Sequence, residues 1–290
     1  MFPDARAKER YFAVYEMAMA AGPEPVETCY IETRFGVTRV YRHGPEGGAP
    51  IVLVHAFWAT AAMWAPNVGA LSARHPVYCL DVLGQPGASV QTTPLRTPQD
   101  CADWLDDLLA ARELGNVHLV GCSYGGWLAL NQAIHAPERL ATITLIEPAN
   151  VFARSSVKFK PTVLALLPVA PRQLTRRAMA WAFGNPAIGD PMHPIVELIV
   201  AGAHDFRALG TSPAPRYPND SELAALRIPT LVLLGGRSVY HDAAAAAARA
   251  RRLLPAGQVE LWPTASHAVA AEYADEVNSR ILSFAQNLGR

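Results

Sequence analysis

Short apolar runs recur along the chain, with helical patterns between them. Each run is four or five residues long and is bounded by Gly, Asp or Pro, which is typical of strands buried on both faces of a sheet. The runs are Ile51–Val54, Val77–Leu80, Val117–Val120, Ile143–Ile146 and Thr230–Leu234. Helical patterns such as Gln99 to Leu114 and Trp127 to His135 separate them. This alternation predicts an α/β fold with a mostly parallel sheet wrapped by helices.

The two ends of the chain carry different patterns. Residues Asp4 to Ala21 form an amphipathic pattern that predicts a leading helix. Glu27 to Arg34 and Val37 to His43 alternate apolar and polar residues, which predicts an antiparallel hairpin. Near the other end, Val259 to Trp262 predicts a strand and Ala270 to Leu288 a final amphipathic helix.

One long segment lacks strand patterns. Residues 151–226 are rich in Pro, Ala, Arg and aromatic residues and contain apolar helical stretches. After them, Ile228-Pro229 restarts the strand pattern. We therefore expect residues 1–150 and residues 227–290 to form one core, and residues 151–226 to form a helical lid inserted into it.

The balance of charge limits the classes of partner. The 290 residues include 25 basic and 25 acidic ones, so bulk charge favours neither nucleic acid nor an anionic membrane. No apolar run is long enough to span a bilayer, and no apolar stretch follows a basic start at the N-terminus. A cytoplasmic protein is the expectation, and a homodimer stays open.

Motifs for metals and nucleotide cofactors are missing from the sequence. The pairs His204-Asp205 and His241-Asp242 lack a third nearby ligand, and no G-x-G-x-x-G follows a strand pattern. The four cysteines are scattered without metal-ligand spacing: Cys29, Cys79, Cys101 and Cys122. We expect no cofactor and no metal, with a small molecule as the substrate.

A glycine-flanked serine provides the first candidate for chemistry. Gly121–Gly125 matches the pattern G-x-S-x-G, which is weak evidence by itself. Its context strengthens it, because the motif lies between the apolar run Val117–Val120 and a helical pattern that starts at Trp127. A tight turn between a strand and a helix holds a serine exposed at the sheet edge, beside the partial positive charge of the helix N-terminus. The context predicts Ser123 as a nucleophile.

A histidine near the end of the chain is the matching base. His267 lies on the loop after the strand pattern Val259–Trp262 and before the final helix. From that loop its imidazole can reach the serine across the carboxyl edge of the sheet, where the ligand sites of such folds lie.

Several motifs together resemble the α/β-hydrolase superfamily over essentially the whole chain. They are Gly121–Gly125, His267, His55-Ala56-Phe57, Asp81–Ser89, and Ala136–Leu140 after the nucleophile helix. Bacterial carboxylesterase-like serine hydrolases with S-Y-G-G-W at the nucleophile are the most similar members. The resemblance implies an eight-stranded, mostly parallel sheet with a helical lid.

The resemblance also implies an oxyanion hole. The backbone N–H of Tyr124, after the nucleophile, supplies one donor, and the loop containing Phe57 supplies the second. Ala56 stands where the family usually has glycine, and its Cβ is expected to tighten the loop that carries the second donor. His55 and Asp81 are expected to organise their loops rather than to take part in the chemistry.

The carboxylate that should orient the histidine is not at its usual place. The family commonly has it about three residues after the Gly that ends the seventh strand, and Ser238 occupies that position. Glu147, directly after the run Ile143–Ile146, is the favoured replacement, since haloalkane dehalogenases have an acid after the corresponding strand. Asp242 is the alternative, although an Asp before helix formers usually caps the helix. A site with no acid also stays open.

These residues predict a serine hydrolase. We expect it to cleave a carboxylic ester or thioester of a small to medium apolar substrate through an acyl-enzyme. Two other functions stay open: a lyase or cyclase that tailors a natural product with the same Ser-His pair, and a catalytically silent binder. The aromatic residues predicted to line the substrate pocket are Trp58, Phe152, Trp181 and Phe183.

Overall fold

The computed structural model describes residues 1–187, 189–190, 192–207 and 212–287. Within these ranges the strands are β1 (Glu27–Thr33), β2 (Gly36–His43), β3 (Ile51–Val54), β4 (Val77–Leu80), β5 (Val90–Gln91), β6 (Val117–Cys122), β7 (Leu140–Ile146), β8 (Thr230–Gly235) and β9 (Gly257–Trp262). The helices are α1 (Ala5–Met19), α2 (Ala65–Ser72), α3 (Pro98–Ala111), α4 (Tyr124–His135), α5 (Lys160–Ala165), α6 (Arg172–Ala182), α7 (His193–Asp205), α8 (Asp220–Ala224), α9 (Ala243–Leu253), α10 (Val269–Glu272) and α11 (Ala274–Asn287). Short 3₁₀ helices span Ala61–Trp64 and Val157–Phe159.

The strands form one sheet with the order β1-β2-β4-β3-β6-β7-β8-β9, and β5 pairs with β2. The pairs β1–β2, β2–β4 and β2–β5 are antiparallel, whereas every pair from β4 to β9 is parallel. This arrangement confirms the predicted mostly parallel α/β-hydrolase sheet. The two-residue strand β5 extends the eight strands that were expected.

The apolar runs are buried on both faces of the sheet, as their composition predicts. Along β3, Ile51 and Leu53 belong to one core cluster and Val52 and Val54 to the other, because successive side chains of a strand point to opposite faces. One cluster packs under α1, α2, α7 and α11, and the other under α3, α4 and α9. The two layers hold the central strands in a fixed register.

That register brings together the residues that follow β6 and β7. Cys122 pairs with Ile146, which in turn pairs with Leu233 on β8. Ser123 and Glu147 are the next residues along their strands, so they emerge side by side at the carboxyl edge of the sheet. The backbone N–H of Ser123 donates to the carbonyl of Ile146 at 2.9 Å, and that of Glu147 donates to Leu233 at 2.9 Å.

The final helix differs from the prediction. A single helix from Ala270 to Leu288 was expected, but α10 and α11 are separated at Tyr273, whose backbone leaves the helical region at φ −128° and ψ 46°. The Glu272 side chain accepts a hydrogen bond from the Ser266 N–H at 2.7 Å, so α10 is tied to the loop before it. Leu288 lies outside the described residues.

Helices α5 to α8 lie in the segment that was predicted to form a lid. The leading helix packs against α7, and Arg10 forms an ion pair with the buried Asp205 at 2.7 Å. In the ranges that the structure describes, no helix combines the length and the apolar character needed to cross a membrane.

Candidate active site

The turn that holds Ser123 is strained and tightly packed. Ser123 has φ +52° and ψ −110°, a conformation that L-residues rarely adopt. A Cβ on Gly125 would collide with the backbone carbonyls of Val54 and His55, and one on Gly121 would collide with the backbone of Gly125. The two glycines therefore permit the close approach of β3, β6 and α4 that directs the serine out of the sheet edge.

Three side chains from separate parts of the chain form one hydrogen-bonded row. The Ser123 hydroxyl lies 3.1 Å from Nε2 of His267, and Nδ1 of His267 lies 2.7 Å from Oε2 of Glu147. A carboxylate can only accept, so Nδ1 carries the proton and Nε2 is left as the acceptor for the serine O–H. The three residues are 8%, 5% and 0% exposed, in the order Ser123, His267 and Glu147.

The buried Glu147 carboxylate has partners for both oxygens. Oε1 accepts the backbone N–H of Gly235 at 2.6 Å, and Oε2 accepts His267. Burial by itself would raise the pKa of this carboxyl, but the imidazoles of His241 and His267 outweigh it and hold the pKa below the ordinary glutamate value. Glu147 is therefore ionised at neutral pH. Its backbone has φ +49°, so two adjacent strands end in residues with strained backbones.

The loop after β8 adds residues that the sequence patterns did not reveal. His241 is 4% exposed, and its Nε2 lies 3.5 Å from Oε1 of Glu147. Ser238, at the family's usual acid position, has its hydroxyl 3.4 Å from Nδ1 of His267, a long contact beside the 2.7 Å bond to Glu147. From the sequence, His241 is considered only as a possible metal ligand together with Asp242, and no metal site is expected there. His241 lies near Glu147 because β7 and β8 are adjacent parallel strands that end at the same edge of the sheet.

Two aromatic rings enclose the His267 imidazole. Tyr240 stacks against it with ring centroids 5.1 Å apart and planes at 26°, and Phe183 stacks with centroids 6.3 Å apart and planes at 9°. Burial, together with the nearby Glu147 carboxylate, raises the pKa of Tyr240 to about 12, so its hydroxyl stays neutral. Phe183 follows α6, which places the lid segment against the predicted base.

Two backbone N–H groups, those of Tyr124 and Phe57, are the predicted donors to an oxyanion. The Tyr124 N–H is at the start of α4, and among the described residues neither it nor the Phe57 N–H has a protein acceptor. The rings of Phe57 and Tyr124 meet edge to face at 5.7 Å, so the two loops are in contact. Ala56 is accommodated with its carbonyl accepting from Ala59 at 3.1 Å and lying 2.7 Å from Nδ1 of His55.

His55 and Asp81 have the structural roles expected of them. Nε2 of the fully buried His55 accepts the Val82 N–H at 2.9 Å, and burial lowers the pKa of its imidazole, which keeps it neutral. Asp81 accepts the N–H groups of Ala61 and Ala88 at 3.0 and 2.8 Å. These bonds fix the loop that carries Phe57 to the end of β4.

A narrow apolar cavity adjoins His267. Its volume is about 20 Å³, close to the space of a single water molecule. The lining comes from the segment after β3, the end of β6, the segment 151–226, and the residues from His267 into α10: Ala56, Ala59, Met63, Cys122, Phe183, Met192, Ile195, Ile199, His267, Ala268, Ala270 and Ala271. Aliphatic side chains dominate this lining, so it favours an apolar group.

Of the four aromatic residues predicted to line a substrate pocket, Phe183 lies in the wall of the cavity beside His267, and the other three are not among the residues that line this cavity. Trp58 is buried and stacks on the ring of Phe57 with centroids 5.4 Å apart. Phe152 lies in the core cluster of α3 and α4, and Trp181 is 42% exposed. The sequence shows which residues of the segment 151–226 are aromatic, but it does not show which of their rings face the cavity beside His267.

The alternative acid, Asp242, is positioned at a helix end. Its carboxylate accepts the N–H of Ala245 at 3.0 Å and caps α9. In the described part of the chain, no cluster of three His, Cys, Asp or Glu side chains has the arrangement to hold a metal ion.

Comparisons with known proteins agree with this architecture. The chain is 30% identical to the carboxylesterase YbfK of Bacillus subtilis over 283 residues, which cover 95% of this chain and 93% of the relative. The crystal structure of that carboxylesterase matches with a TM-score of 0.89 and 26% identity, over 97% of this chain and 98% of the other. Naproxen esterase of Bacillus subtilis matches with a TM-score of 0.89 and 28% identity, over 97% and 99%.

The family assignment follows from the sequence as well. The predicted resemblance to bacterial carboxylesterase-like hydrolases is confirmed by these relatives. A model of the alpha/beta hydrolase family matches residues 51–280, which is most of the chain. The chain belongs to the α/β-hydrolase family.

Proposed function

We propose that the protein is a serine carboxylesterase with Ser123 as the nucleophile, His267 as the general base and Glu147 as the acid that orients the base. One observation carries the proposal: the buried, continuous row from the Ser123 hydroxyl through His267 to Glu147, at 3.1 and 2.7 Å. Acyl transfer by a neutral serine needs this arrangement, because a hydroxyl becomes a strong nucleophile only as its proton leaves.

The first half-reaction transfers the acyl group to the enzyme. Nε2 of His267 accepts the hydroxyl proton while Ser123 Oγ attacks the ester carbonyl carbon. The Glu147 carboxylate stabilises the imidazolium that forms and keeps its proton on Nδ1. When the tetrahedral intermediate collapses, the imidazolium gives its proton to the alkoxy oxygen. The alcohol leaves and an acyl-serine remains.

The second half-reaction repeats the chemistry with water. Nε2 accepts a proton from the attacking water, and collapse of the second tetrahedral intermediate returns a proton to Ser123 Oγ as the carboxylic acid leaves. In both intermediates the N–H groups of Tyr124 and Phe57 are the proposed donors to the oxyanion. The absence of a protein acceptor for either N–H among the described residues supports this role.

The substrate is proposed to be a carboxylic ester or thioester whose acyl part is small to medium and apolar. The lining of the cavity beside His267 supports this class, since Met63, Ile195 and Ile199 offer no partner for a polar group. The volume of 20 Å³ is too small for an ester, so we propose that the segment 151–226 acts as a lid that moves before substrate enters. Esterase activity of the Bacillus subtilis relatives supports the reaction class.

Labelling with a fluorophosphonate probe tests the nucleophile. The expected result is one covalent adduct per chain, located on the peptide that contains Ser123 and missing from Ser123→Ala protein. Ser238→Ala is the matched control, because this hydroxyl also lies near His267 and should not affect labelling. The absence of an adduct on wild-type protein would reject the enzyme in favour of a silent binder.

Pre-steady-state kinetics distinguish the esterase from a lyase or cyclase. With p-nitrophenyl butyrate, an acyl-enzyme mechanism predicts a burst of p-nitrophenol of up to one equivalent, provided that deacylation is the slower step. Trapping of the butyryl-enzyme by acid quench and intact mass measurement covers the case in which deacylation is fast. Hydrolysis without any trapped acyl-Ser123 would contradict the proposed mechanism.

A further inference from the structure

The balanced overall charge conceals a strong local imbalance. Residues 149–189 contain six basic residues and no acidic one: Arg154, Lys158, Lys160, Arg172, Arg176 and Arg177. Two of them form ion pairs with α7: Arg172 pairs at 2.6 Å with Asp205, which also pairs with Arg10, and Arg176 pairs at 2.5 Å with Glu197. The other four are exposed, and none of the ion pairs between described residues includes them.

The same segment exposes much of the apolar surface. Of the thirteen large hydrophobic residues that are exposed in the described chain, seven lie between residues 157 and 181. They are Val157, Val163, Leu164, Leu167, Val169, Leu174 and Trp181, with exposures from 42% to 89%. Apolar residues concentrated in this way on a soluble fold mark a surface that contacts another body.

The exposed apolar residues of helix α6 lie on one face. Leu174 and Trp181 are seven residues apart, two helical turns, and the unpaired Arg177 lies between them on the same side. Thr175 and Met179 lie on another side and are buried. The outward face thus combines apolar side chains with a cation, as in helices that lie in the interface of a membrane.

We propose that the outer surface of residues 154–181, called here the outer lid surface, docks on an anionic lipid bilayer. Lys158, Lys160 and Arg177 provide the charge complementarity, and the exposed aliphatic side chains provide apolar area that inserts between headgroups. Overall neutrality argued against a membrane partner, but attraction to a surface depends on the charges that face it.

A second copy of the chain fits this surface less well. A two-fold dimer brings the same patch of both subunits together, so the unpaired cations of one outer lid surface would face those of the other. Anionic headgroups would instead attract these cations. The basic charge of the segment therefore favours a lipid surface over a second copy of the chain.

Co-sedimentation with vesicles tests the docking, and it is measured on Ser123→Ala protein so that the result does not depend on ester hydrolysis. Phosphatidylcholine vesicles with 30% phosphatidylglycerol should bind the protein, pure phosphatidylcholine vesicles should bind it far more weakly, and raised salt should weaken the binding. In this background, K158Q/K160Q/R177Q should lower the partition coefficient about 100-fold, since each basic residue near such a surface contributes roughly fivefold.

A matched triple variant separates the local effect from bulk charge. Arg74, Arg96 and Arg227 are exposed outside the segment, so R74Q/R96Q/R227Q removes the same net charge and should change partitioning less than about twofold. L164Q/L174Q should weaken binding while the charge stays constant, and circular dichroism checks that each variant is folded.

Three results would overturn the docking proposal: no binding to anionic vesicles, equal losses in the two charge triples, or a dimer in light scattering that K158Q/K160Q/R177Q dissociates. Failure of the esterase proposal would look different, because it would leave vesicle binding intact and remove p-nitrophenyl butyrate hydrolysis from the wild-type protein.

Discussion

The carboxyl edge of the sheet and the segment 151–226, which is proposed to act as a lid, are held in place by different means. At the edge, Ser123 and Glu147 directly follow adjacent parallel strands, and backbone hydrogen bonds to the neighbouring strand fix both. In the segment, side-chain contacts hold the helices: Arg172 of α6 pairs with Asp205 of α7 at 2.6 Å, and the Thr175 hydroxyl of α6 donates to the carbonyl of the last residue of α5 at 2.7 Å. The edge also tolerates strained backbone, with φ +52° and +49° at its two residues.

Residues at the sheet edge are positioned more exactly than residues of the segment 151–226. Residual strain at Ser123 and Glu147 persists because the surrounding core is packed on both faces of the sheet. The segment 151–226 depends instead on side-chain contacts among its own helices and with α1, where Arg10 pairs with Asp205. Changes at the edge should therefore affect the rate by orders of magnitude, and changes in the lid should mainly affect binding.

Removal of the nucleophile should have the largest effect. Ser123→Ala is expected to lower kcat/KM for p-nitrophenyl butyrate by at least about 10⁴-fold, because no acyl-enzyme can form. Its melting temperature should equal or exceed that of the wild type, since the strained turn remains but a buried hydroxyl is gone. A residual rate within about tenfold of the wild type would mean that another group attacks the ester.

Exchange of the acid should have the next largest effect. Glu147→Gln is expected to lower kcat about 10³- to 10⁴-fold, because the amide can stabilise neither the imidazolium nor the required tautomer. Asp242→Ala is the control: it should leave kcat within about twofold and cost about 1 kcal/mol of stability by removing the α9 cap. Reversed effects would exchange the roles of the two residues.

Ser238 offers a partial rescue of that loss. Its hydroxyl lies 3.4 Å from Nδ1 of His267, so E147Q/S238D places a carboxylate near the histidine by another route. We expect this double variant to recover roughly 10-fold or more of the kcat lost in Glu147→Gln. No recovery, with the fold intact by circular dichroism, would show that the acid must follow β7.

A smaller effect is expected in the lid. Phe183→Ala should raise KM for an apolar ester about 10-fold, because the ring lines the cavity and stacks on His267. Trp181→Ala is the matched control from the same end of α6, and with 42% of the residue exposed it should change KM less than about twofold. Equal effects would place Trp181 in the substrate path after all.

The smallest expected effect concerns acid stability. The folded-state pKa of Glu147 lies below its ordinary value of 4.5, so its stabilising contribution is complete above that value and is lost as the pH falls below it. The free energy of unfolding of Glu147→Gln, measured with urea from pH 7 to pH 3, should therefore fall less steeply below pH 4.5 than that of the wild type. Parallel curves would contradict a depressed pKa.

Much of the edge could be predicted from the sequence for a physical reason. Strands buried on both faces appear as short continuous apolar runs, and parallel strands all end at one edge, so the residues after each run meet there. This logic placed Ser123, His267 and Glu147 in one region, and the structure gives hydrogen-bond distances between them. Their catalytic roles stay proposals.

The rest depended on packing that no local pattern encodes. His241 approaches Glu147 only because β7 and β8 end in register, and Phe152 and Trp181 have the same composition signal as Phe183 with opposite outcomes. The break at Tyr273 follows from the bond between Glu272 and Ser266, which links two segments across a turn. Side-chain orientation of this kind is decided by tertiary contacts.

The position of Phe183 has one more consequence. This ring belongs to the segment 151–226 and also stacks on the His267 imidazole, so a movement of the segment that carried Phe183 away would change the surroundings of the proposed base. Under the proposed lid movement, admission of substrate and exposure of this face of the imidazole would then be a single event.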